Sequence, residues 1–222
     1  MNTFKMFNGD LIKEAEAPLR ELSRIQEGLC VNNDELLGKI QEYRVAKELG
    51  FSLINQDKHG FDAKYSEDVD VFLEIKNVTL SEAPKATLND TTLEKARNFK
   101  CDNLWLALGV WHNISKLSFI CYGKNKKIGE LLEEKVSNFL AGNGVRSVQD
   151  LSLSSLVEDY DFRLLAISDT PEDICKLLRK PWLGFIDTKE DFEEPYFKKD
   201  WNENSVLAMV RKRHPIKVTY RG

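Results

Sequence analysis

Two hydrophobic periods alternate along the chain, and the switches between them lay out its elements. Residues 71–77 read Val-Phe-Leu-Glu-Ile-Lys-Asn, with Val71, Leu73 and Ile75 on one side of a period of two and Phe72, Glu74 and Lys76 on the other. This predicts a strand over 71–79 with one aliphatic face and one face that carries charge. Upstream, Ser66-Glu67-Asp68 reads as a turn and 61–65 as an antiparallel partner strand. Asn33-Asp34 caps, and Gly50 stops, a predicted helix over 35–49. Gly38, Val45, Ala46 and Leu49 share one side of that helix, and Glu42 falls in their middle. A helix over 11–26, interrupted near Pro18, precedes it, and a short strand over 51–54 follows. Residues 81–90, with Pro84 and Lys85, read as a loop, then 91–100 as a helix. Strands over 103–111 and 116–122 flank His112-Asn113, and an amphipathic helix over 128–141 closes at Gly142-Asn143-Gly144. Beyond it, 148–156 reads as helix or loop, 163–167 as a short strand and 181–186 as another. A helix over 171–178 has Thr170 as cap and Pro171 in its first position.

The charged face of 71–79 carries the candidate chemistry. Glu74 and Lys76 point the same way, because strand side chains alternate. A hairpin through the turn at 66–68 returns Asp62 beside Glu74. Burying such charges without partners costs several kcal/mol. Two convergent carboxylates with an ammonium beside them make a site for a hard divalent cation and an activated water, chemistry that suits phosphodiester hydrolysis. The competing reading is a solvated strand face. Asp68 and Asp70 are rival acids, with Asp70 placed in the turn. Glu42, an acid on a small-residue helix face, is either aimed at the same site or paired with a base at the surface.

A helix with an inward Glu, a hairpin with Asp and Glu-x-Lys, then a helix and an apolar strand: over about residues 33–125 this order resembles the PD-(D/E)xK nuclease superfamily. Residues 37–46 are similar to its first helix, Asp62 to its first acid, and Glu74 and Lys76 to its Glu-x-Lys. The motif is short and degenerate, so the order of elements carries much of the weight. Phe61 rather than Pro precedes Asp62, and the helix after Lys76 lacks the Gln of the branch with a Gln-x-x-x-Tyr motif. The resemblance implies an α/β fold, a mixed central β-sheet flanked by helices, with a restriction-endonuclease-like core and C-terminal α/β additions. It implies one nuclease domain over 1–222, with 126–222 accessory. It implies Mg²⁺, with Mn²⁺ able to substitute, on Asp62, Glu74 and the Ile75 carbonyl, and Lys76 orienting the attacking hydroxide. Glu42 would hold a second metal, directly or through water. Within the superfamily, the expectation is a homodimeric type II restriction enzyme. It would cut double-stranded DNA to leave 5′-phosphates, without a nucleotide cofactor. The alternatives are a junction-resolving or repair nuclease, or a protein of this fold that binds DNA without cutting.

Composition narrows the picture further. The 222 residues suffice for a core that needs no disulfide. The longest apolar run, 104–111, is too short for a bilayer, and 1–5 lack a signal-peptide core, so the expectation is a cytoplasmic protein without a membrane partner. Cys30, Cys101, Cys121 and Cys175 are scattered and read as free thiols, and His59, His112 and His214 form no cluster. The net charge of −4 disfavours a small basic resolvase, but charge is segregated: 186–203 carries −4 and 205–222 carries +5. Arg211, Lys212 and Arg213 are therefore candidate DNA contacts, against the reading of a solvated charge run. Asn77, Thr79, Lys85 and Asn89, just past the acidic site, are further candidates for phosphates and base edges.

Overall fold

A computed structural model describes Arg24 and residues 33–54, 61–66, 69–81, 83–89, 91–143 and 149–192. The chain divides into two compact units, Met1–Ile40 and Gln41–Gly222. Helix α1, Asn33–Glu48, begins in the first unit; the sheet and the candidate site belong to the second. The predicted helix over 11–26 and the basic residues Arg211, Lys212 and Arg213 lie outside the described residues, apart from a helical Arg24.

The fold is α/β, with a mixed seven-stranded sheet flanked by helices. In chain order the elements after α1 are β1 (Ser52–Leu53), β2 (Ala63–Lys64), β3 (Phe72–Thr79), β4 (Lys85–Leu88), α2 (Leu93–Asn98), β5 (Leu104–Trp111) and β6 (Leu117–Gly123). Then come α3 (Lys126–Leu140), β7 (Gln149–Ser152), α4 (Leu153–Glu158), β8 (Arg163–Ala166), α5 (Pro171–Leu178), a single 3₁₀ turn (Leu183–Phe185) and β9 (Ile186–Asp187). The large sheet runs β1-β2-β3-β5-β6-β8-β9. The β3–β5 and β8–β9 pairs are parallel and the others antiparallel. The β3–β5 crossover contains α2, as a parallel connection requires a long link. β5 and β6 are apolar at almost every position because helices and loops cover both faces of the sheet there.

Two packed layers follow from strand alternation. On one face Phe72, Leu106, Leu108, Val110 and Phe119 pack with Ala96 of α2 and its C-cap Phe99, Ile128 and Leu132 of α3 and Leu156 of α4. On the other, Leu73, Ile75, Ala107 and Ile120 pack with Val45, Ala46 and Leu49 of α1. Gly109 lets α1 approach: a Cβ there would lie 2.6 Å from Val45 Cγ2 and 2.6 Å from Asn77 Oδ1. Gly129 does the same for the α2–α3 contact, where a Cβ would meet the Ala96 carbonyl oxygen and the Lys100 amide nitrogen at 2.7 Å. Arg97 of α2 and Lys100 just after it both pair with Glu133 of α3 across that contact.

Three sequence expectations change. Residues 81–90 are not an irregular loop: Lys85–Leu88 is a strand, paired with Gln149–Ser152 in a two-stranded antiparallel ribbon. Residues 148–156 are neither helix nor loop throughout, but strand β7 followed by α4. In 181–186 a 3₁₀ turn precedes a strand of only two residues. The β4–β7 partners are more than 60 positions apart, a pairing that local pattern cannot reveal. Among the described residues, Cys101, Cys121 and Cys175 are free, and no helix is long and apolar enough to cross a membrane.

Candidate active site

The site forms where β3 loses its neighbour. β2 is two residues long and pairs Ala63 with Leu73 and Lys64 with Phe72. Asp62 continues the ladder by one bond, its amide donating to the Leu73 carbonyl at 2.7 Å. Its side chain then takes the place of a partner strand: Asp62 Oδ2 accepts the Ile75 amide at 2.7 Å. This fixes the Asp62 carboxylate at the strand edge beside Glu74. Asp70, the rival acid, pairs instead with Lys64 at 2.9 Å.

Glu74 projects onto the face that α2 covers and is only 2% exposed. A carboxylate that deep needs strong partners. It has two: Lys76 Nζ at 2.7 Å and Lys95 Nζ, from α2, at 2.9 Å, both on Oε1. Lys76 Nζ also donates to the Ile75 carbonyl at 3.2 Å. Two ammoniums, two carboxylates and one carbonyl thus meet around a three-residue stretch of β3.

The electrostatics separate the two acids. Burial, followed by the neighbouring Glu74 charge, pushes the Asp62 carboxyl up to about 6. Burial pushes Glu74 the same way, but Lys76 and Lys95 outweigh it and hold Glu74 below the usual carboxylate range. For Lys76, burial favours the neutral amine, yet Glu74 and Asp62 outweigh burial and raise its affinity for a proton. Glu42, half-buried on α1, adds its own charge to this balance: it raises both Asp62 and Lys76. Glu42 is therefore electrically part of the cluster.

The other expected contact residues lie elsewhere. Asn77 turns to the α1 face, where its Oδ1 accepts the Trp111 indole N–H at 2.9 Å. Thr79 is exposed near the end of β3, and Asn89 is exposed just after β4. Lys85 is exposed on the ribbon and pairs with Asp150, which also accepts from Thr87 Oγ1 at 2.7 Å. Sequence reasoning missed Lys95. It lies within the predicted helix over 91–100, and only its distance to Glu74 distinguishes it from Arg97 and Lys100. Sequence reasoning also left His112 without a partner. It lies 2.5 Å from Asp169 Oδ2, which accepts from Ser118 Oγ as well, a tie between the β5–β6 turn and the segment after β8.

Comparison with protein-family models, with curated proteins and with solved structures finds no match. The chemistry of the site is therefore judged on its own donors. Among the described residues no three His, Cys, Asp or Glu side chains are gathered as a metal cage. The donors present are all hard oxygens: Asp62, Glu74 and the Ile75 carbonyl. A small divalent cation commonly uses only one or two carboxylates and keeps several waters, so this set fits one. The Asp62 carboxyl is raised by burial first and by the Glu74 charge second, and a cation bound there would offset both.

Proposed function

We propose that this protein is a metal-dependent endonuclease that hydrolyses phosphodiester bonds in double-stranded DNA, of the type II restriction kind. The observation that carries this reading is the convergence of Asp62, Glu74 and Lys76 around the Ile75 peptide, with Lys76 Nζ on both Glu74 and the Ile75 carbonyl. When bound by Asp62, Glu74 and the Ile75 carbonyl oxygen, Mg²⁺ would acidify water and neutralise charge on the phosphate. Asp62 and Glu74 keep one oxygen each, Oδ1 and Oε2, outside the hydrogen bonds described above, and these are the oxygens offered to it. Lys76 holds the attacking water through its ammonium and steadies the negative charge that grows on its oxygen. Water gives up a proton to solvent as it adds in line to phosphorus, the P–O3′ bond breaks, O3′ takes a proton from solvent, and the products carry a 5′-phosphate and a 3′-hydroxyl. Glu42 would hold a second cation, directly or through water.

With a divalent cation on Asp62 and Glu74, the ammoniums of Lys76 and Lys95 outweigh the remaining acid Glu42, which favours an anionic substrate over a neutral one. The test is incubation of the purified protein with plasmid DNA and Mg²⁺, beside Lys76→Ala. Wild type is expected to give discrete linear fragments, and Lys76→Ala to slow cleavage by about 10²-fold or more. Equal cutting by the two proteins would remove Lys76 from the mechanism, and no cutting by wild type in any divalent cation would remove the reading itself.

A further inference from the structure

Lys95 has no role in the chemistry above, yet the fold places it with care. Its Nζ lies 2.9 Å from Glu74 Oε1, the same oxygen that holds Lys76 at 2.7 Å. One carboxylate oxygen thus holds two ammoniums within a phosphate group's reach of each other. Lys95 hangs from a helix that cannot drift: Ala96 is fully buried, Thr92 caps the first turn, and Gly129 of α3 abuts the helix backbone at Ala96 and Lys100. The other two cations of that helix end are committed elsewhere, since Arg97 and Lys100 both pair with Glu133. The Lys95 side chain is 19% exposed, buried enough to be oriented and open enough to be reached.

Charge balance points to what reaches it. In the cluster as it stands, Lys76 and Lys95 answer the carboxylates of Glu74 and Asp62. With Asp62 and Glu74 neutralised by a divalent cation, the two ammoniums are balanced, among the cluster residues described above, by the single carboxylate of Glu42. The site is then net positive and calls for an anion. A phosphodiester brings one negative charge, and a second develops as water adds to phosphorus.

We infer that Lys95 is a phosphate-binding catalytic residue: its ammonium leaves Glu74 and grips a non-bridging oxygen of the scissile phosphate, while Lys76 attends the attacking water. This rests on the phosphodiesterase reading above. Lys95→Gln removes the charge and keeps a hydrogen bond to Glu74; Lys95→Arg keeps the charge. Circular dichroism checks that each variant is folded. Two measurements follow. The first is the plasmid cleavage rate at saturating DNA and Mg²⁺. The second is duplex DNA affinity in Ca²⁺ without cleavage, followed against salt concentration. The expected result for Lys95→Gln is a rate down by about 10²-fold and a salt slope shallower by about 0.9, one phosphate contact fewer. Lys95→Arg is expected to recover the slope and most of the rate. A Lys95→Gln rate and slope equal to wild type would overturn the inference and leave the nuclease reading intact. A lost rate with an unchanged slope would also overturn it, because Lys95 would then only neutralise Glu74. A wild type that cuts nothing would overturn both.

Discussion

Asp62 performs two tasks at once. It caps the Ile75 amide as a strand would, and it holds a negative charge where burial and Glu74 oppose one. The second task costs stability. Its carboxyl titrates at about 6 in the folded chain and at an ordinary 3.8 otherwise. Between these values the folded chain holds the proton that the unfolded chain has released. Stability from this group is therefore full below pH ~4 and is lost as pH rises to ~6. Asp62→Asn keeps an acceptor for Ile75 and carries no charge. In EDTA above pH 6 the variant is expected to be more stable than wild type by on the order of 2 kcal/mol, a melting temperature higher by about 4–8 °C. The gap should close on lowering the pH to 4; a gap that is constant from pH 4 to 8 would contradict the assignment. The same variant should not cut DNA. Glu74 and Lys76 were legible in the sequence because period-two alternation decides which side chains share a face, and Asp62 because the turn at 66–68 returns it beside Glu74. Lys95 was not, because nothing local tells which of three cations in one helix end turns inward. That choice is made by α3, through Glu133 and Gly129.

At the scale of elements, the site depends on a helix, α3, that supplies none of its residues. α3 packs against α2 through Gly129, where a Cβ would strike two backbone atoms at 2.7 Å. Backbone cannot step aside as a flexible side chain can. Gly129→Ala is expected to destabilise the protein by about 1–3 kcal/mol, read from urea melts. Because the shift is borne by α2, which carries Lys95, the cleavage rate should fall in the variant and the salt slope of DNA binding should become shallower. A variant as stable as wild type would mean that the two helices have room to part. Elements with strong periodicity, such as β3, β5, β6 and α3, were legible. The ribbon was not, because 81–90 has too few apolar positions to show a period, and its partner strand lies in the accessory half. β9 was hard to read for a related reason: it is two residues long and stands on the parallel partner β8 rather than on its own pattern.

At the scale of the whole molecule, the proposed cation is linked to folding. A ligand that binds only the folded chain stabilises it by about 2.7 kcal/mol at a hundredfold excess over its dissociation constant. For a chain of this size that corresponds to a melting point higher by about 5–10 °C. Millimolar Mg²⁺ or Mn²⁺ is expected to raise the wild-type melting temperature at pH 8 and to leave Asp62→Asn and Glu74→Gln unmoved. An equal shift in all three proteins would place the binding elsewhere. The general architecture was legible at this scale, since the alternation of helices and strands already pointed to an α/β sheet. The strand order was not, because β5 lies beside β3 only after a crossover, and β8 joins β6 across the whole of α3, β7 and α4.

The β4–β7 ribbon has a meaning for how such a chain can be inherited. Asp62, Glu74, Lys76 and Lys95 all come from one continuous stretch, and a stretch of that kind can pass between genes as a cassette while the remainder is replaced. Here β4 lies inside the cassette and β7 in the half that a replacement would remove. Any exchanged C-terminal half must bring a strand that matches Lys85–Leu88, with an acid where Asp150 answers Lys85 and Thr87. Four residue pairs of the ribbon thus tie the two halves together, beside the β6–β8 ladder.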